Sequence, residues 1–397
     1  MKQFKFHVKP IGLFDMLHFK KLVPNRARKF SEASPEAVTA RYGVNRLADA
    51  LHPAVQQATV TEVISQGDLA KTYILSGKSL APFRAGQYVS VRLKIGAAVL
   101  TRPYSISSSP KLAAEGKYAI TVKRTANGFA ADRILSEWAV GTPVTLSGPQ
   151  GTFYYEPLRD ARHVVALAGG SGITPFLSMA CAIRDGLEDF RMTLLYGSCR
   201  EDDILFRQEL DGIEKATCGK VKVVHVLSEE QRECFEHGFI TADLIRKHGG
   251  DAPFSVFLCG PAAMYAFAEK ELAKLGLERK FIRRELLAAP SSPADITGYP
   301  GDAAKAYSLT VTRFGETTTV PMRASEAVLA ALERAGVEAP SRCRGGECGW
   351  CRARLDKGEI FIPPQLEARR MADIATGHIH PCCAYPLSDL AIEIWPE

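Results

Sequence analysis

Five cysteines near the end of the chain have the spacing of ligands to an iron–sulfur cluster. Four residues separate Cys343 from Cys348, two separate Cys348 from Cys351, and the adjacent Cys382 and Cys383 follow about thirty residues later. Three thiolates in one loop with a fourth far along the chain suit a [2Fe–2S] centre. The alternatives are a zinc site, which usually pairs two short-spaced motifs, and a set of unrelated buried thiols.

The loop that holds the first three cysteines is rich in glycine, which permits backbone angles that bring several N–H groups toward cluster sulfurs. Residues 341–355 and 381–393 resemble plant-type ferredoxins. That resemblance implies four cluster ligands, Cys343, Cys348, Cys351 and Cys382. We do not expect Cys383 to ligate together with Cys382, because neighbouring side chains in an extended segment point opposite ways.

A glycine turn stands between a predicted strand at 164–168 and a predicted helix at 175–184. Its sequence, Gly-Gly-Ser-Gly-Ile-Thr-Pro at 169–175, would let the backbone approach a pyrophosphate at the positive end of the helix. Thr174 is expected to cap that helix and Pro175 to begin it. The turn therefore predicts a dinucleotide site.

A second set of segments resembles the ferredoxin–NAD(P)H reductase superfamily. The run Arg-Pro-Tyr-Ser at 102–105 follows the end of an apolar strand and is similar to the family's Arg-x-Tyr-Ser signature, and residues 83–89 match the strand that leads into it. The resemblance implies that Arg102 meets the flavin phosphate, that Tyr104 lies against the isoalloxazine and that Ser105 reaches toward its N5 edge. A guanidinium suits a phosphate, and a tyrosine offers a flat apolar face.

Further segments of the same family follow in order. The resemblance assigns the flavin chain to a strand and a phosphate loop, at Val122, Lys123, Gly128, Phe129 and Ala130. Ala131 stands where the family has a hydroxyl residue, which leaves backbone N–H groups as the available donors. Relatives with this order of modules include FAD and FMN proteins, and we expect FAD, with FMN as the alternative.

The nicotinamide end of the coenzyme has its own signature in this family. The Cys-Gly-x-x-x-Met segment maps to Cys259, Gly260, Pro261 and Met264, and the glycine turn maps to Gly169, Gly170, Gly172, Thr174 and Pro175. Cys259 ends a predicted strand, where a ligand site of an α/β sheet is expected. A buried structural thiol is the alternative interpretation of Cys259, and we do not expect it to act as a nucleophile.

Two other features concern the coenzyme and the hydride site. Ser198 and Arg200 could bind a 2′-phosphate, whereas Glu201 or Asp202 could hydrogen-bond a free ribose, so NADH and NADPH both remain open. Glu285 lies in an Arg-Arg-Glu run that matches a segment approaching the flavin in relatives. The resemblance therefore gives three catalytic candidates, Ser105, Cys259 and Glu285.

The pattern of elements changes along the chain, and we predict a multidomain fold. Short β-rich runs with turns predict an antiparallel β-barrel, and alternating strands and helices predict a parallel α/β sheet. The resemblance adds an α+β ferredoxin domain of the β-grasp type. The predicted boundaries are a basic extension at 1–55, a flavin-binding barrel at 56–156, an NAD(P)-binding domain at 157–288, a linker at 289–305 and a [2Fe–2S] ferredoxin domain at 306–397.

The net charge of +6 is concentrated in an N-terminal arm. Residues 1–30 hold eight Lys and Arg against Asp15, about +7, so the remainder sums to about −1. A nearly neutral body argues against nucleic-acid binding. The arm interleaves lysines with apolar residues and predicts either packing on the other modules or weak docking to an acidic partner or an anionic membrane, through a helix limited to about 13–23.

The chain has no run of eighteen apolar residues and no signal-peptide pattern, and its ten cysteines favour thiolate chemistry. We therefore expect a cytoplasmic location. The resemblance covers 58–397 and implies a reductase that moves electrons from NAD(P)H through flavin and the cluster to a partner oxygenase, desaturase or other redox enzyme. The alternatives are a dehydrogenase that feeds a membrane quinone or an anaerobic reductase, and a non-catalytic ferredoxin-type carrier.

Overall fold

A computed structural model describes residues 13–32, 43–96, 98–124, 129–285 and 298–395. The predicted phosphate-loop residue Gly128 and most of the predicted linker lie outside the described residues. The chain divides into two units, Met1–Ala48 and Asp49–Glu397, and the second unit contains all of the sheets. The domain boundaries given above stay a prediction.

Two helices precede the first sheet, α1 (Leu13–Ser31) and α2 (Gly43–Leu51). The expectation that the helix of the arm ends near residue 23 is wrong, since α1 continues through Pro24. A proline removes one hydrogen bond from a helix interior and bends it, but good helix formers on both sides can carry the helix past it. Among the described residues, no helix is both long and apolar enough to span a bilayer.

The first sheet is antiparallel throughout. Its strands are β1 (Gln56–Ser65), β2 (Ala70–Ser76), β3 (Tyr88–Ile95), β4 (Ala98–Ser105), β5 (Lys117–Lys123) and β6 (Pro143–Leu146). They lie in the order β4-β3-β6-β1-β2-β5, and the sheet carries the helices α3 (Pro110–Ala114) and α4 (Phe129–Glu137). The sheet curls around one buried apolar core, which confirms the predicted barrel.

The sequence had suggested that the Arg-Pro-Tyr-Ser run follows the end of a strand. In the structure this run forms the second half of β4. The strand tolerates Pro103 because β4 is at the edge of the sheet, where one missing N–H donor breaks no inner ladder. The pairing of β4 with β3 sets Ser105 opposite Tyr88 and Arg102 opposite Val91. The β3–β4 hairpin therefore places Tyr88 and Ser105 together.

The second sheet is parallel. Its strands and helices are β7 (His163–Gly169), α5 (Thr174–Arg184), β8 (Arg191–Ser198), α6 (Arg207–Ala216), β9 (Val221–Leu227), β10 (Glu236–His237), α7 (Ala242–Gly249), β11 (Ser255–Cys259), α8 (Ala262–Ala273) and β12 (Ile282–Glu285). The order is β10-β9-β8-β7-β11-β12, so the direction of winding reverses between β7 and β11. A crevice at the carboxyl ends of these two strands is where such sheets bind ligands.

The glycine turn forms a short 3-10 helix at Gly170–Ile173 that leads directly into α5. The prediction that Thr174 caps this helix is wrong, because Thr174 is the first residue of α5 and has helical backbone angles. Its hydroxyl donates to the Ser171 carbonyl at 3.1 Å instead of accepting from a backbone N–H. The 3-10 turn supplies the entry to the helix, so a side-chain cap is not used.

The third sheet is mixed and packs against one helix. Its elements are β13 (Ala306–Arg313), β14 (Glu316–Arg323), α9 (Val328–Arg334), β15 (Ala353–Lys357), β16 (Ile360–Phe361), α10 (Met371–Ala375), β17 (His378–Ile379), β18 (Tyr385–Pro386) and β19 (Leu390–Ile394). The order β14-β13-β19-β15-β17 has α9 across its buried face, and β16 pairs with β18. This is the expected β-grasp arrangement.

Candidate functional site

The three catalytic candidates lie together where the barrel meets the parallel sheet. Cys259 and Glu285 are opposite each other at the carboxyl ends of β11 and β12. Ser105, at the end of β4, donates its hydroxyl to Glu285 Oε2 at 3.1 Å, and Cys259 Sγ lies 3.9 Å from the same oxygen. Residues separated by as many as 180 positions thus form one hydrogen-bonded group.

Glu285 is only 5% exposed, and burial raises the pKa of its carboxyl to about 8, against a smaller lowering effect of the Ser105 hydrogen bond. Its second oxygen, Oε1, is buried with no hydrogen-bond partner among the described residues. Burial, and then the nearby Glu285 carboxyl, raises the pKa of the Cys259 thiol. At neutral pH the group therefore holds a neutral acid and a neutral thiol, which suits proton storage rather than nucleophilic attack.

Two tyrosines that were not among the candidates complete this group. Tyr265 donates its hydroxyl to the Glu285 carbonyl and accepts from the Gly260 N–H at 3.3 Å. Tyr88 lies opposite Ser105 on the neighbouring strand, and its ring and the Glu285 carboxyl both approach Gly151. Burial raises the pKa of Tyr88 most, and nearby Cys343, Cys348 and Glu285 raise it further. The sequence signal for Tyr88 was its place in the segment 83–89; for Tyr265 there was none beyond its position after Met264.

The glycine turn and the start of α8 pack so closely that they form one cradle. A Cβ on Gly172 would lie 2.3 Å from the Cys259 carbonyl oxygen, and a Cβ on Gly169 or Gly260 would lie within 2.6 Å of Met264 Sδ. Pro261 caps α8 beside this contact. Only glycine fits at these positions, because the turn packs directly on the end of β11 and the start of α8.

The remaining residues of the predicted dinucleotide site lie around this cradle. Gly170 has a φ of +52°, and a Cβ placed there would lie 3.8 Å from Lys123 Nζ, which reaches across from the barrel. Thr174 and Pro175 form the buried first turn of α5. The turn, the helix start and one ammonium group thus surround the place expected for a pyrophosphate.

The residues after β8 show how the ribose end is arranged. Ser198 Oγ is buried and has no hydrogen-bond partner among the described residues. The Arg200 guanidinium donates to Glu229 at 3.2 Å, and Glu201 forms ion pairs with Arg207 and Arg232. Arg200 is thus already paired with a carboxylate, while the Ser198 hydroxyl is buried beside Tyr196.

The flavin candidates on the barrel lie along β4, β5 and the start of α4. Tyr104 is half-buried and Val122 is buried, and burial raises the pKa of Tyr104. Phe129 and Ala130 form the first turn of α4, whose free N–H groups can face an anion. Arg102 does not stand free: its guanidinium lies 3.3 Å from both carboxylate oxygens of Glu333 on α9. This contact with the third module was not expected.

The four predicted cluster ligands form two pairs. The Cys343 thiol donates to Cys348 and lowers the pKa of Cys348 to about 6, while Cys351 donates to Cys382 and lowers the pKa of that thiol. Backbone N–H groups also point at sulfur, from Cys348 to Cys343 Sγ at 3.4 Å and from Trp350 to Cys348 Sγ at 3.4 Å. Two pairs of thiolates match a cluster with two irons.

The choice of Cys382 over Cys383 rests on different geometry from that expected. Residues 381–383 form a turn, so the argument from an extended segment is wrong. The Cys383 sulfur lies 3.5 Å from the His380 carbonyl and 3.9 Å from the Leu366 carbonyl, and it packs against Gly346 of the cluster loop. Cys382 instead receives the N–H of Gly346 and the thiol of Cys351. The residues present therefore fit a [2Fe–2S] group held by Cys382.

Comparisons with known proteins agree with this arrangement. Three family models match in order: an oxidoreductase FAD-binding domain at residues 64–155, an oxidoreductase NAD-binding domain at 166–270 and a 2Fe-2S iron-sulfur cluster binding domain at 311–387. The solved structure of phthalate dioxygenase reductase covers 86% of this chain and 98% of its own, with a TM-score of 0.62 and 22% identity. The fold is therefore shared over all three modules.

Two curated relatives are similar in sequence. NADH-cytochrome b5 reductase 1 of Candida glabrata is 31% identical over 199 residues, which cover 49% of this chain and 69% of that protein. The ferredoxin reductase component of 3-ketosteroid-9-alpha-monooxygenase from Mycobacterium tuberculosis is 29% identical over 355 residues, which cover 84% of this chain and 94% of that protein. The longer match extends through the cluster module.

Fold, site and comparisons together define a flavin- and iron–sulfur-dependent NAD(P)H oxidoreductase. The chain belongs to the ferredoxin–NAD(P)H reductase superfamily. Its cofactors are FAD, NAD(P)H and a [2Fe–2S] cluster. It transfers electrons from NAD(P)H through the flavin to the iron–sulfur cluster.

Proposed function

We propose that this reductase takes hydride from NADH and delivers single electrons to a separate redox enzyme, with an oxygenase as the first choice of partner. The observation that carries the proposal is the junction at Tyr88, which pairs with Ser105 of the Ser105–Cys259–Glu285 group and is near enough to the cluster cysteines Cys343 and Cys348 for them to raise its pKa. One site of hydride chemistry and one site of single-electron chemistry are therefore adjacent. A relative that is 29% identical is named as a monooxygenase component.

The residues of the junction have separate tasks in this proposal. Bound FAD and nicotinamide would supply the hydride chemistry, and the chain supplies binding, orientation and a proton. Glu285, neutral at physiological pH, holds that proton within hydrogen-bond distance of the Ser105 hydroxyl. Cys259, beside Glu285 at the carboxyl end of β11, gives the nicotinamide pocket an apolar wall. Residues Cys343, Cys348, Cys351 and Cys382 hold the cluster.

The proposal is tested with purified protein reconstituted with FAD, iron and sulfide. NADH should support reduction of ferricyanide, and of cytochrome c through the cluster, and it should drive turnover of an oxygenase encoded beside the reductase gene. A protein that binds flavin and cluster but is not reduced by NADH or NADPH would be an electron carrier, and the proposal would fail. A cluster held by four cysteine thiolates is consistent with the reducing, cytoplasmic location that we propose.

We expect the enzyme to prefer NADH over NADPH by about tenfold or more in kcat/KM. A 2′-phosphate would approach Glu201, Asp202 and Glu229, with Arg200 already paired to Glu229 at 3.2 Å. The same carboxylates could instead accept hydrogen bonds from the hydroxyls of a free ribose. The measurement is steady-state kinetics with each coenzyme.

Glu229→Gln should release Arg200 to bind the 2′-phosphate of NADPH. The kcat/KM for NADPH should therefore rise, with little change in the kcat/KM for NADH. Asp243→Asn is the matched control, since Asp243 forms an exposed ion pair with Arg246 on α7. A wild-type enzyme that favours NADPH would contradict this assignment of the ribose loop.

Arg102→Ala should weaken flavin retention, since it removes a charge-assisted contact that contributes about 1.5–3 kcal/mol. Arg102 already donates to the Thr101 carbonyl at 2.8 Å, so its guanidinium is oriented before a phosphate arrives. The measurement is flavin content after dialysis. Arg133→Ala, which breaks an exposed pair with Glu137, is the control; equal retention in both variants would count against Arg102.

We also propose a docking role for the basic arm, supported by its charge and by α1, whose last turn carries Arg28 and Lys29. Deletion of residues 1–30 should leave ferricyanide reduction intact and abolish salt-sensitive binding to the acceptor or to anionic vesicles. Binding is measured by co-sedimentation at low and high salt. A truncated protein with less flavin or a lower melting temperature would show that the arm is structural instead.

A further inference from the structure

The cluster loop is tied to the flavin barrel by one buried carboxylate. Glu333 on α9 is 5% exposed in its side chain and lies 2.6 Å from Arg344 Nη1 and 3.3 Å from Arg102 Nη1. Arg102 belongs to β4 of the barrel, and Arg344 directly follows the candidate ligand Cys343. Glu333 therefore joins the proposed flavin-phosphate arginine to the loop that holds the cluster.

Arg344 has an unusual backbone. Its φ of +56° lies in the left-handed region, which is strained for a non-glycine residue and which such residues seldom adopt. Such a conformation persists only where its surroundings hold it. The Arg344 guanidinium, 12% exposed, is held by Glu333 and lies 3.5 Å from the Thr101 carbonyl of the barrel. The side-chain contacts thus stabilise the conformation that orients Cys343.

The charges in this group do not balance. Two guanidinium cations surround one carboxylate, and burial, followed by repulsion from Arg344, lowers the pKa of Arg102. Arg102 is the more accessible of the two guanidinium groups, at 26% exposed against 12% for Arg344. An anion at Arg102 would complete the balance, and the flavin phosphate expected there is such an anion.

We infer that Glu333 is a positioning residue for flavin-to-cluster electron transfer: it holds Arg344 and the cluster loop against the barrel through the same arginine that meets the flavin phosphate. This inference rests on the proposed flavin and cluster sites. The placement of one redox group against the next is what the protein contributes to such transfers. Loss of the Glu333 carboxylate should therefore affect the second electron-transfer step and leave the first unchanged.

The interface offers a matched control. Arg92 on β3 and Glu338, after α9, form another ion pair between the barrel and the third module, but their side chains are 49% and 48% exposed. An exposed pair contributes little, whereas removal of one partner from a buried pair leaves an uncompensated charge. Glu338→Gln thus removes a contact of the same kind at the same interface without disturbing the buried group.

The experiment follows flavin and cluster absorbance after rapid mixing of the holoenzyme with NADH. Glu333→Gln should slow cluster reduction by about tenfold or more at unchanged flavin reduction and unchanged iron content, and Glu338→Gln should stay within about twofold of wild type. Arg344→Gln should give the same defect, and the double variant should be no slower than either single variant. The reduced cluster's EPR spectrum should change in Glu333→Gln and Arg344→Gln but not in Glu338→Gln.

Three results would overturn the inference: equal cluster reduction in Glu333→Gln and Glu338→Gln, slowing of both steps together, or additive defects in the double variant. If the Glu333→Gln protein does not bind the cluster or the flavin, Glu333→Asp is tested in its place. This variant keeps the carboxylate charge on a side chain that is shorter by one methylene. Its cluster step should then be selectively slowed, and an unchanged rate would assign Glu333 to folding alone. A wild-type protein that binds neither flavin nor cluster would instead contradict the proposed function.

Discussion

Replacement of Cys382 by serine is expected to remove the iron–sulfur cluster, whereas the same change at the adjacent Cys383 leaves it in place. Cys382 receives the Gly346 N–H and the Cys351 thiol, while the Cys383 sulfur faces the carbonyls of His380 and Leu366. Wild type and Cys383→Ser should hold about two irons and two acid-labile sulfides per chain. Iron, sulfide and EPR signal are the measurements.

The Cys382→Ser protein should still bind flavin and reduce ferricyanide with NADH, because the hydride site lies in the other two modules. Cys348→Ser should behave in the same way, since Cys348 belongs to the other pair of predicted ligands, Cys343 and Cys348. A full cluster in Cys382→Ser with loss of iron in Cys383→Ser would reverse the assignment of the fourth ligand. Loss of NADH-driven flavin reduction in either ligand variant would mean that the modules do not act separately.

Glu285→Gln is expected to slow flavin reduction by NADH on the order of 10²-fold, the usual contribution of a positioned acid or base. Wild-type flavin reduction should be fast below the Glu285 pKa of about 8 and decline above it, as the stored proton is lost. The variant should lack this pH dependence. The measurement is the rate of flavin bleaching across the pH range.

The raised pKa of the Glu285 carboxyl also makes the stability of the folded protein depend on pH. The pKa of this carboxyl is raised on folding from 4.5 to about 8, so between these values the unfolded chain releases a proton that the folded chain keeps. The contribution of Glu285 to stability therefore decreases as pH rises through this window. The melting temperature of the Glu285→Gln protein should therefore rise relative to that of wild type as the pH increases from 4.5 to about 8.

Glu347, on the cluster loop, provides the control for both Glu285 experiments, because it raises the pKa of Glu285 without a hydrogen bond to it. Glu347→Gln should move the midpoint of the rate profile to lower pH and keep the profile's shape. A midpoint near 8 that persists in Glu285→Gln would assign the titration to another group.

Much of the fold could be predicted from local patterns. The alternation of short strands, the buried apolar run of β7 and the glycine turn identified the first two sheets, and the cysteine spacing identified the third module. These signals are local because burial of one strand face and the backbone angles of a turn depend on neighbouring residues. Predictions failed where neighbours override a local rule, as at Pro24 within α1 and at Thr174 after the 3-10 turn.

The sequence by itself determined which chemistry is present: four thiolates at cluster spacing, a turn for a pyrophosphate and an Arg-x-Tyr-Ser strand. Only the tertiary structure decided which of these groups meet. Glu285 contacts a serine 180 residues away, and Glu333 contacts an arginine 231 residues away. No periodicity carries such contacts, because they arise when separately folded surfaces pack together. That packing also excludes water from Glu285, and the lost hydration is what makes it a neutral acid at physiological pH.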